Sequence, residues 1–393
     1  MEHEAQVLVI GGGPAGSATA LHLARAGVSV LLIERDTFPK QKCCGEGIMP
    51  HGVKQIEELG LLDAVREAQA MPFDGITYRH GKHEASGCFP GGEEGIGIRR
   101  LRLDALFHQA ILEQAGVRVV PAEMNHIEVD NRCAVVTCGD QVFRGQVVVG
   151  ADGLNSQVRK QRGLEARRAG RNRYGGNFHL ELPESRPQYD KVEVHFSKGY
   201  EIYLTPVAPR EVCVAILCEK AQAKSLAGDR LGGLRRLAEA CPSFPRDLVD
   251  ARTISEGFFC GPLRQTVPKV VADRTALVGD AAGFLDPITG EGLSVALVSA
   301  KLLAGVISSG LESGDLSAAG LLPYGEAREA GIRDALILTE VILWWIRTPL
   351  LPAHVVRNLA KRPEVFEKML GVAAGSAGLG SLGLSEIRGL ALP

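Results

Sequence analysis

Val7 to Asp36 reads VLVIGGGPAGSATALHLARAGVSVLLIERD, and this stretch decides the fold class. The apolar run Val7–Ile10 leads straight into a glycine turn. Gly11, Gly13 and Gly16 stand in the register G-x-G-x-x-G, with Pro14 and Ala15 between the last two. A helix is predicted next, with Ala18, Leu21, Leu23, Ala24 and Ala26 as its apolar surface and Gly27 as its stop. A second apolar run, Val28–Ile33, ends at Glu34 and Arg35. Each glycine has a separate physical task. Gly11 permits the tight turn, Gly13 lets the backbone approach a pyrophosphate, and Gly16 lets the helix pack close to the strand. The helix N-terminus offers free N–H groups to the phosphates. An acid at the position of Glu34 accepts hydrogen bonds from a ribose hydroxyl pair. The order strand, turn, helix, strand, acid therefore predicts a dinucleotide-binding α/β unit.

The chain has 393 residues, enough for two closely joined domains. Hydrophobic residues make up 45% and charged residues 23%, as in ordinary globular proteins. A net charge of −2 gives no basic surface to attract nucleic acid, so none is expected as a partner. The nine cysteines are scattered, Cys43 and Cys44 are adjacent, and no C-x-x-C occurs. No metal site is expected from that pattern. The odd cysteine count and the start MEHEAQ, which does not read as a secretory signal, lead us to expect a cytoplasmic protein. No apolar run approaches about eighteen residues, so no transmembrane helix is expected.

Residues 37–49 read as a loop, followed by an amphipathic helix over Gly52–Leu62 and a clear helix over Arg100–Gly116. Short strands are expected near Ile76–Tyr78 and Ile96–Ile98. Val117–Val120 is predicted as a strand, with hairpin-like strands near Cys133–Thr137 and Gln146–Gly150. Residues 172–262 turn strand-rich, with one helix at Leu231–Ala240. Val270–Val278 reads as one buried strand, and the remainder as helix. The expected architecture is α/β. A discontinuous Rossmann-like domain comprises residues 1–71, 99–165 and 263–320. An antiparallel β-sheet substrate domain comprises 72–98 and 166–262, and a C-terminal helical segment 321–393.

Two further motifs lie far from the first. In VVVGADGLNSQVRK, a strand delivers Asp152 and Gly153 to a turn, with Ser156 and Arg159 following. In TALVGDAAGFLDPITGEGLSVALVSAKLLA, a strand delivers Gly279 and Asp280, where the aspartate can bind a ribitol or ribose hydroxyl. Pro287, Gly290 and Gly292, with Glu291 and Leu293, bring bare backbone to a flat ligand at a helix N-terminus. With these motifs the chain resembles the flavoprotein superfamily of aromatic hydroxylases, flavin halogenases and geranylgeranyl reductases. The resemblance implies FAD, with NAD(P)H as reductant. It puts the pyrophosphate at Gly11–Gly16, the adenosine ribose at Glu34, the flavin side at Arg100 of an R-x-x-L-D pattern, and the ring beside Pro287–Gly292.

GDAAGFLDPITGEGL and the pair Cys44–Gly45 are most similar to the geranylgeranyl reductase branch. Tyr200–Pro206, YEIYLTP, partly resembles the lipid-pocket segment of those reductases and nominates Tyr200, Tyr203 and Pro206. FPKQKCCGEGIMP also resembles a halogenase segment, but no W-x-W-x-I-P follows, since Trp344 and Trp345 are adjacent. The expected activity is FAD-dependent reduction of a C=C bond in a hydrophobic small molecule. The alternatives are a monooxygenase, a halogenase and a non-catalytic FAD scaffold. Cys44 is either a proton donor or substrate positioner, or a small packed residue, and a lowered thiol pKa would draw on Lys40 or Lys42. Glu46 is either an acid or a cap for the next helix. VILWWIRTPLLPAHVV, near the C-terminus, either closes the substrate cavity or touches a lipid surface.

Overall fold

The computed structural model describes residues 2–167, 172–226 and 228–391. Val7–Ile10 forms the middle of a six-stranded sheet. Its order is Val271–Ala272, Thr275–Leu277, Val147–Gly150, Val7–Ile10, Val30–Glu34 and Val117–Pro121. All neighbours are parallel except the outermost pair, Val271–Ala272 with Thr275–Leu277. The strands Val7–Ile10, Val30–Glu34 and Val147–Gly150 are buried along their whole length, as a parallel sheet covered on both faces requires. Helices Pro14–Arg25, Arg100–Glu113 and Gly292–Ser313 pack together on one face. A four-stranded sheet contributes Ile127, Ala134, Val136 and Phe143 to the same core.

That four-stranded sheet corrects one expectation. The hairpin partner of Ala134–Cys138 is Gln141–Gly145, while Val147–Gly150 crosses into the central sheet. Glu2–Glu4 adds a parallel edge strand that periodicity did not reveal. Val270–Val278 is likewise not one strand but a hairpin, Val271–Ala272 and Thr275–Leu277, turning at Arg274 with φ +51°.

The second domain is a seven-stranded sheet. Its order is Phe258–Cys260, Arg173–Glu181, Glu211–Glu219, Tyr200–Ala208, Val192–Ser197, Gly75–His80 and His83–Cys88. The only parallel pairing within it joins Val192–Ser197 to Gly75–His80. One face packs against helix Arg230–Ala240 in a cluster with Phe178, Tyr200, Ile202, Leu204 and Leu234. The other face, with Tyr78, Phe196 and Tyr203, meets the C-terminal helices Ala318–Arg347, Leu351–Ala360 and Pro363–Ala373. Helix Gly292–Ser313, with a hydropathy of 1.7, is long and apolar enough to cross a membrane, contrary to expectation. Here it packs against helices Pro14–Arg25 and Pro50–Glu58.

Candidate active site

Gly13 caps helix Pro14–Arg25, with Pro14 at its first position, where a missing N–H costs nothing. The glycines divide their work as the spacing predicts. Gly11 sits at φ +105°, and a Cβ there would lie 2.5 Å from the Ala151 carbonyl oxygen. A Cβ at Gly16 would lie 1.9 Å from the Gly11 oxygen, so Gly16 sets the helix–strand distance. A Cβ at Gly13 would meet only Arg100 Nη2, at 3.6 Å, so open space faces the helix N-terminus. Glu34 is buried; its Oε2 accepts from Gly12 N at 2.7 Å and its Oε1 from Asp36 N at 2.8 Å. Arg35 turns outward to Glu123, at 3.1 Å, so its side chain does not join this loop.

Two distant turns close on the first. A Cβ at Gly279 would lie 2.8 Å from Ala15 Cβ, bringing the last loop against the first helix. Asp280 Oδ2 pairs with Lys42 Nζ at 2.9 Å. Burial pushes the Asp280 carboxyl up, but Lys42 and Arg100 outweigh it and hold the group below the usual carboxylate range. Asp152 Oδ2 accepts from Gln157 N at 2.6 Å and Val158 N at 3.2 Å, while its buried Oδ1 has no partner. Buried Arg159 then staples the loops, donating to Ala281 O and Leu154 O, both at 2.9 Å, and to Gln265 Oε1 at 3.2 Å.

The cysteine loop lies beside Arg100. Cys44 is half-buried, and its Sγ accepts from Glu46 N at 3.3 Å. Burial pushes its thiol up, against the pull of Arg100, so the sulfur holds its proton. Lys40 pairs with Glu34 and Asp36 and Lys42 with Asp280, so Lys42 pulls the thiol down less than Arg100 does. Glu46 is buried in the left-handed region at φ +62°, an uncommon and strained conformation for a non-glycine residue. Its Oε1 accepts from Arg100 N at 2.8 Å, and its Oε2 lies 2.6 Å from His179 Nε2. Arg100 is buried, with Nε 2.6 Å from Asp104 Oδ1, while Asp104 Oδ2 is buried without a partner.

Pro287–Thr289 is a single tight turn, and Gly290 follows at φ +73°. Glu291 is buried with Oε1 unpartnered, and burial pushes its carboxyl up to about 8. Leu293 packs half-buried against the nucleotide-domain core. Tyr203 faces this turn, donating from its hydroxyl to Ile288 O at 3.2 Å. Tyr200 does not, because it is three residues away on an alternating strand and packs in the outer cluster with Phe178. Pro206 shares the parity of Tyr200, and its carbonyl abuts Gly97. Only Tyr203 of the three nominated pocket residues therefore points toward the ring-side turn. Arg173, Glu201 and Asp286, all buried, form an ion network behind that turn, with Arg173 paired to Glu201 and 3.5 Å from Asp286 Oδ1.

These residues fit FAD. A Cβ at Gly45, Gly153 or Gly290 would meet nothing within 4 Å, so three loops present bare backbone to open space. The N-terminus of helix Pro14–Arg25 faces open space beside Arg100, and Asp104, paired to Arg100, and Glu291, after the Pro287–Gly290 turn, each keep a buried oxygen without a partner. Fold and site together define a two-domain flavoprotein. The chain belongs to the FAD binding domain family, whose pattern it matches over residues 4–337. It is 28% identical to a menaquinone reductase of Mycobacterium tuberculosis over 366 residues, covering 86% of this chain and 85% of that one. It is 27% identical to a digeranylgeranylglycerophospholipid reductase of Methanospirillum hungatei, covering 84% and 82%. A flavoprotein/dehydrogenase of Cytophaga hutchinsonii shares the fold with a TM-score of 0.83 at 20% identity, over 95% and 93% of the two chains. The chain is thus an FAD-dependent enzyme.

His179, Cys213, Ser255, Arg159 and Lys42 were not identified from sequence as site residues. Of these, Lys42 and Arg159 lie within motifs already singled out. The other three have no local signal: strand pairing sets His179 beside Cys213 under the cysteine loop, and Ser255 reaches the site only through His179.

Proposed function

We propose that this enzyme reduces a C=C bond of a hydrophobic, polyprenyl-type small molecule, with NAD(P)H supplying electrons to the flavin. The observation that carries the reading is Cys44, whose thiol is kept protonated by burial in the loop next to Arg100. The two reductase relatives, similar over more than four-fifths of the chain, support it. Bound FAD supplies the hydride chemistry. Gly13 and the N-terminus of helix Pro14–Arg25 would hold the pyrophosphate, Glu34 the adenosine ribose and Asp280 the ribityl chain. Arg100 and the Pro287–Gly292 turn would lie on the ring side. The inner face of the large sheet, with Tyr78, Phe196 and Tyr203, and the C-terminal helices exclude water from an apolar substrate. Cys44 Sγ would give its proton to one carbon of the C=C bond, the other carbon taking the hydride that bound FAD would supply.

Trp344 and Leu350, 55% and 88% exposed at the end of helix Ala318–Arg347, support delivery of such a substrate from a lipid surface. The test uses anaerobically reduced holoenzyme mixed with a menaquinone carrying an unsaturated prenyl tail and with a geranylgeranyl glycerophospholipid. Mass spectrometry should find one C=C per turnover converted, with solvent deuterium incorporated. Oxygen uptake matched to a hydroxylated product, with neither lipid reduced, would replace this reading with a monooxygenase.

A further inference from the structure

The cysteine loop meets the large sheet at its edge strand. Gly175 and Cys260 stand directly opposite each other on antiparallel strands, so a side chain on either would share one face. Gly175 has none. The Cys43 sulfur lies there instead, 3.6 Å from where a Gly175 Cβ would stand, with Leu217 and Leu263 around the same point. The Cys260 sulfur takes a hydrogen bond from Gly175 N–H, and the two thiols hydrogen-bond to each other. Both sulfurs therefore meet over one glycine. Both residues are half-buried. The other two thiols of this cluster are engaged elsewhere. Cys213 is fully buried and its Sγ donates to Cys44 O at 3.7 Å, while Cys44 Sγ accepts from Glu46 N. The two sulfurs over Gly175 are not equivalent. The shared hydrogen bond, with burial, pushes Cys43 up. The same bond pulls Cys260 down, and Lys42 and Gly175 N–H add to that pull against burial and Asp280. Cys260 is the readier thiolate, and Cys43 is the thiol beside it. An attacking and a resolving cysteine have this arrangement.

We infer that Cys43 and Cys260 form a reversible disulfide, made by exchange with a small-molecule disulfide of the glutathione class. Cys260 loses its proton, and its sulfur attacks one sulfur of the small disulfide. A mixed S–S bond forms and one small thiolate leaves. Cys43 then loses its proton, and its sulfur attacks Cys260 Sγ. The bond between Cys43 and Cys260 forms, the mixed bond breaks, and the second small thiolate leaves. The two protein thiols are oxidised, the small disulfide is reduced to two thiols, and the two released protons end on those thiols. The bridge clips the cysteine loop to strand Phe258–Cys260. Lys42, just before Cys43, holds Asp280 at 2.9 Å, and Cys44 follows on the other side. Oxidation of the pair therefore bears on the ribityl-side contact and on the Cys44 thiol while modifying neither. The site does not depend on which reaction the flavin carries out.

The test incubates full-length holoenzyme in mixtures of reduced and oxidised glutathione, blocks free thiols with N-ethylmaleimide and digests the protein with trypsin. The peptides Cys43–Lys54 and Thr253–Arg264 carry the two cysteines. In oxidised buffer they should be recovered joined, and fragmentation should place the bridge at Cys43 rather than Cys44. Dithiothreitol added before the block should lower the joined form by about ten-fold or more. Cys43→Ala should lose the bridge and accumulate glutathione on Cys260, because no resolving thiol remains. Cys260→Ala should lose it too, with about ten-fold less glutathione on Cys43. Flavin absorbance shows that each variant is folded. A wild type that forms no bridge between Cys43 and Cys260 in oxidised buffer overturns the inference. So does a bridge from Cys44 or Cys213, or equal glutathione on the remaining cysteine of the two variants. If a variant holds no flavin, the bridge mapped in the wild type decides alone.

Discussion

Lys42 Nζ lies 2.9 Å from Asp280 Oδ2, across 238 residues of sequence. This pair ties the cysteine loop to the loop assigned to the ribityl chain, so the two sides of the flavin site are set by one contact. If Asp280 binds the ribityl chain as proposed, Asp280→Ala removes a charge-assisted hydrogen bond worth about 1.5–3 kcal/mol. It also frees Lys42. We expect purified Asp280→Ala to retain well under half the wild-type flavin, and Lys42→Met to retain most of it. The ratio of absorbance at flavin and protein bands after gel filtration measures both.

The glycine loop makes a sharper prediction, because its members differ in what a methyl group would meet. A Cβ at Gly13 points into the cofactor space, whereas a Cβ at Gly16 runs into the Gly11 carbonyl at 1.9 Å. Gly13→Ala should fold with near-normal stability and bind little FAD. Gly16→Ala should lose about 1–3 kcal/mol from overpacking, or more if the strand cannot shift. Urea unfolding of the two apoproteins separates them.

Cys44→Ser should retain FAD and lower the rate of alkene reduction by about a hundred-fold, because serine donates far less readily than a thiol. Single-turnover mixing of the reduced enzyme with the unsaturated menaquinone reads this rate. Wild-type rates in the variant would make Cys44 a packing residue.

Glu291 gives the stability a pH dependence of unusual sign. Its folded pKa, about 8, stands above the ordinary glutamate value of 4.5, so between these pH values the folded state holds a proton the unfolded chain releases. Stability is then fully present below about pH 4.5 and lost as pH rises toward 8, by up to about 1.4 kcal/mol per unit. Glu291→Gln should flatten that slope in urea unfolding of the apoprotein. Parallel wild-type and variant slopes would mean that the carboxyl titrates normally.

Trp344 and Trp345 are the only tryptophans, and they sit in opposite environments, 55% and 3% exposed. Binding to anionic lipid vesicles should shift the emission of Trp344 to the blue. Trp344→Phe should abolish the shift, and Leu350→Ser should weaken co-sedimentation. No shift in the wild type would leave the C-terminal helices as a wall of the substrate cavity only.

The nucleotide-binding half was readable because its physics is local. A turn that needs positive φ, a helix that must touch a strand and an acid at a strand end all leave residue types at fixed spacing. The ring side was less readable. Tyr200 and Tyr203 look alike in the segment YEIYLTP, yet strand alternation puts them on opposite faces, a distinction that counting by twos would have supplied. Glu46 was open to reading as an acid or a cap for the next helix; helix Pro50–Glu58 takes no side-chain cap, and Glu46 Oε1 accepts instead from the first N–H of helix Arg100–Glu113. Its second oxygen meets His179, 133 residues on, and no spacing rule links those positions. The hairpin at Arg274 escaped because its two short strands are apolar on both sides, and only Asp273–Arg274 marks the turn.

The parallel pairing of Val192–Ser197 with Gly75–His80 has a consequence for how such enzymes diversify. The roof over the flavin is sewn from two separate lengths of chain, and its seam is a hydrogen-bonded ladder. A single crossover between relatives would therefore splice half a roof onto a foreign partner. Transplanting the substrate preference of one relative into another requires both pieces to travel together, or the seam itself to be redesigned.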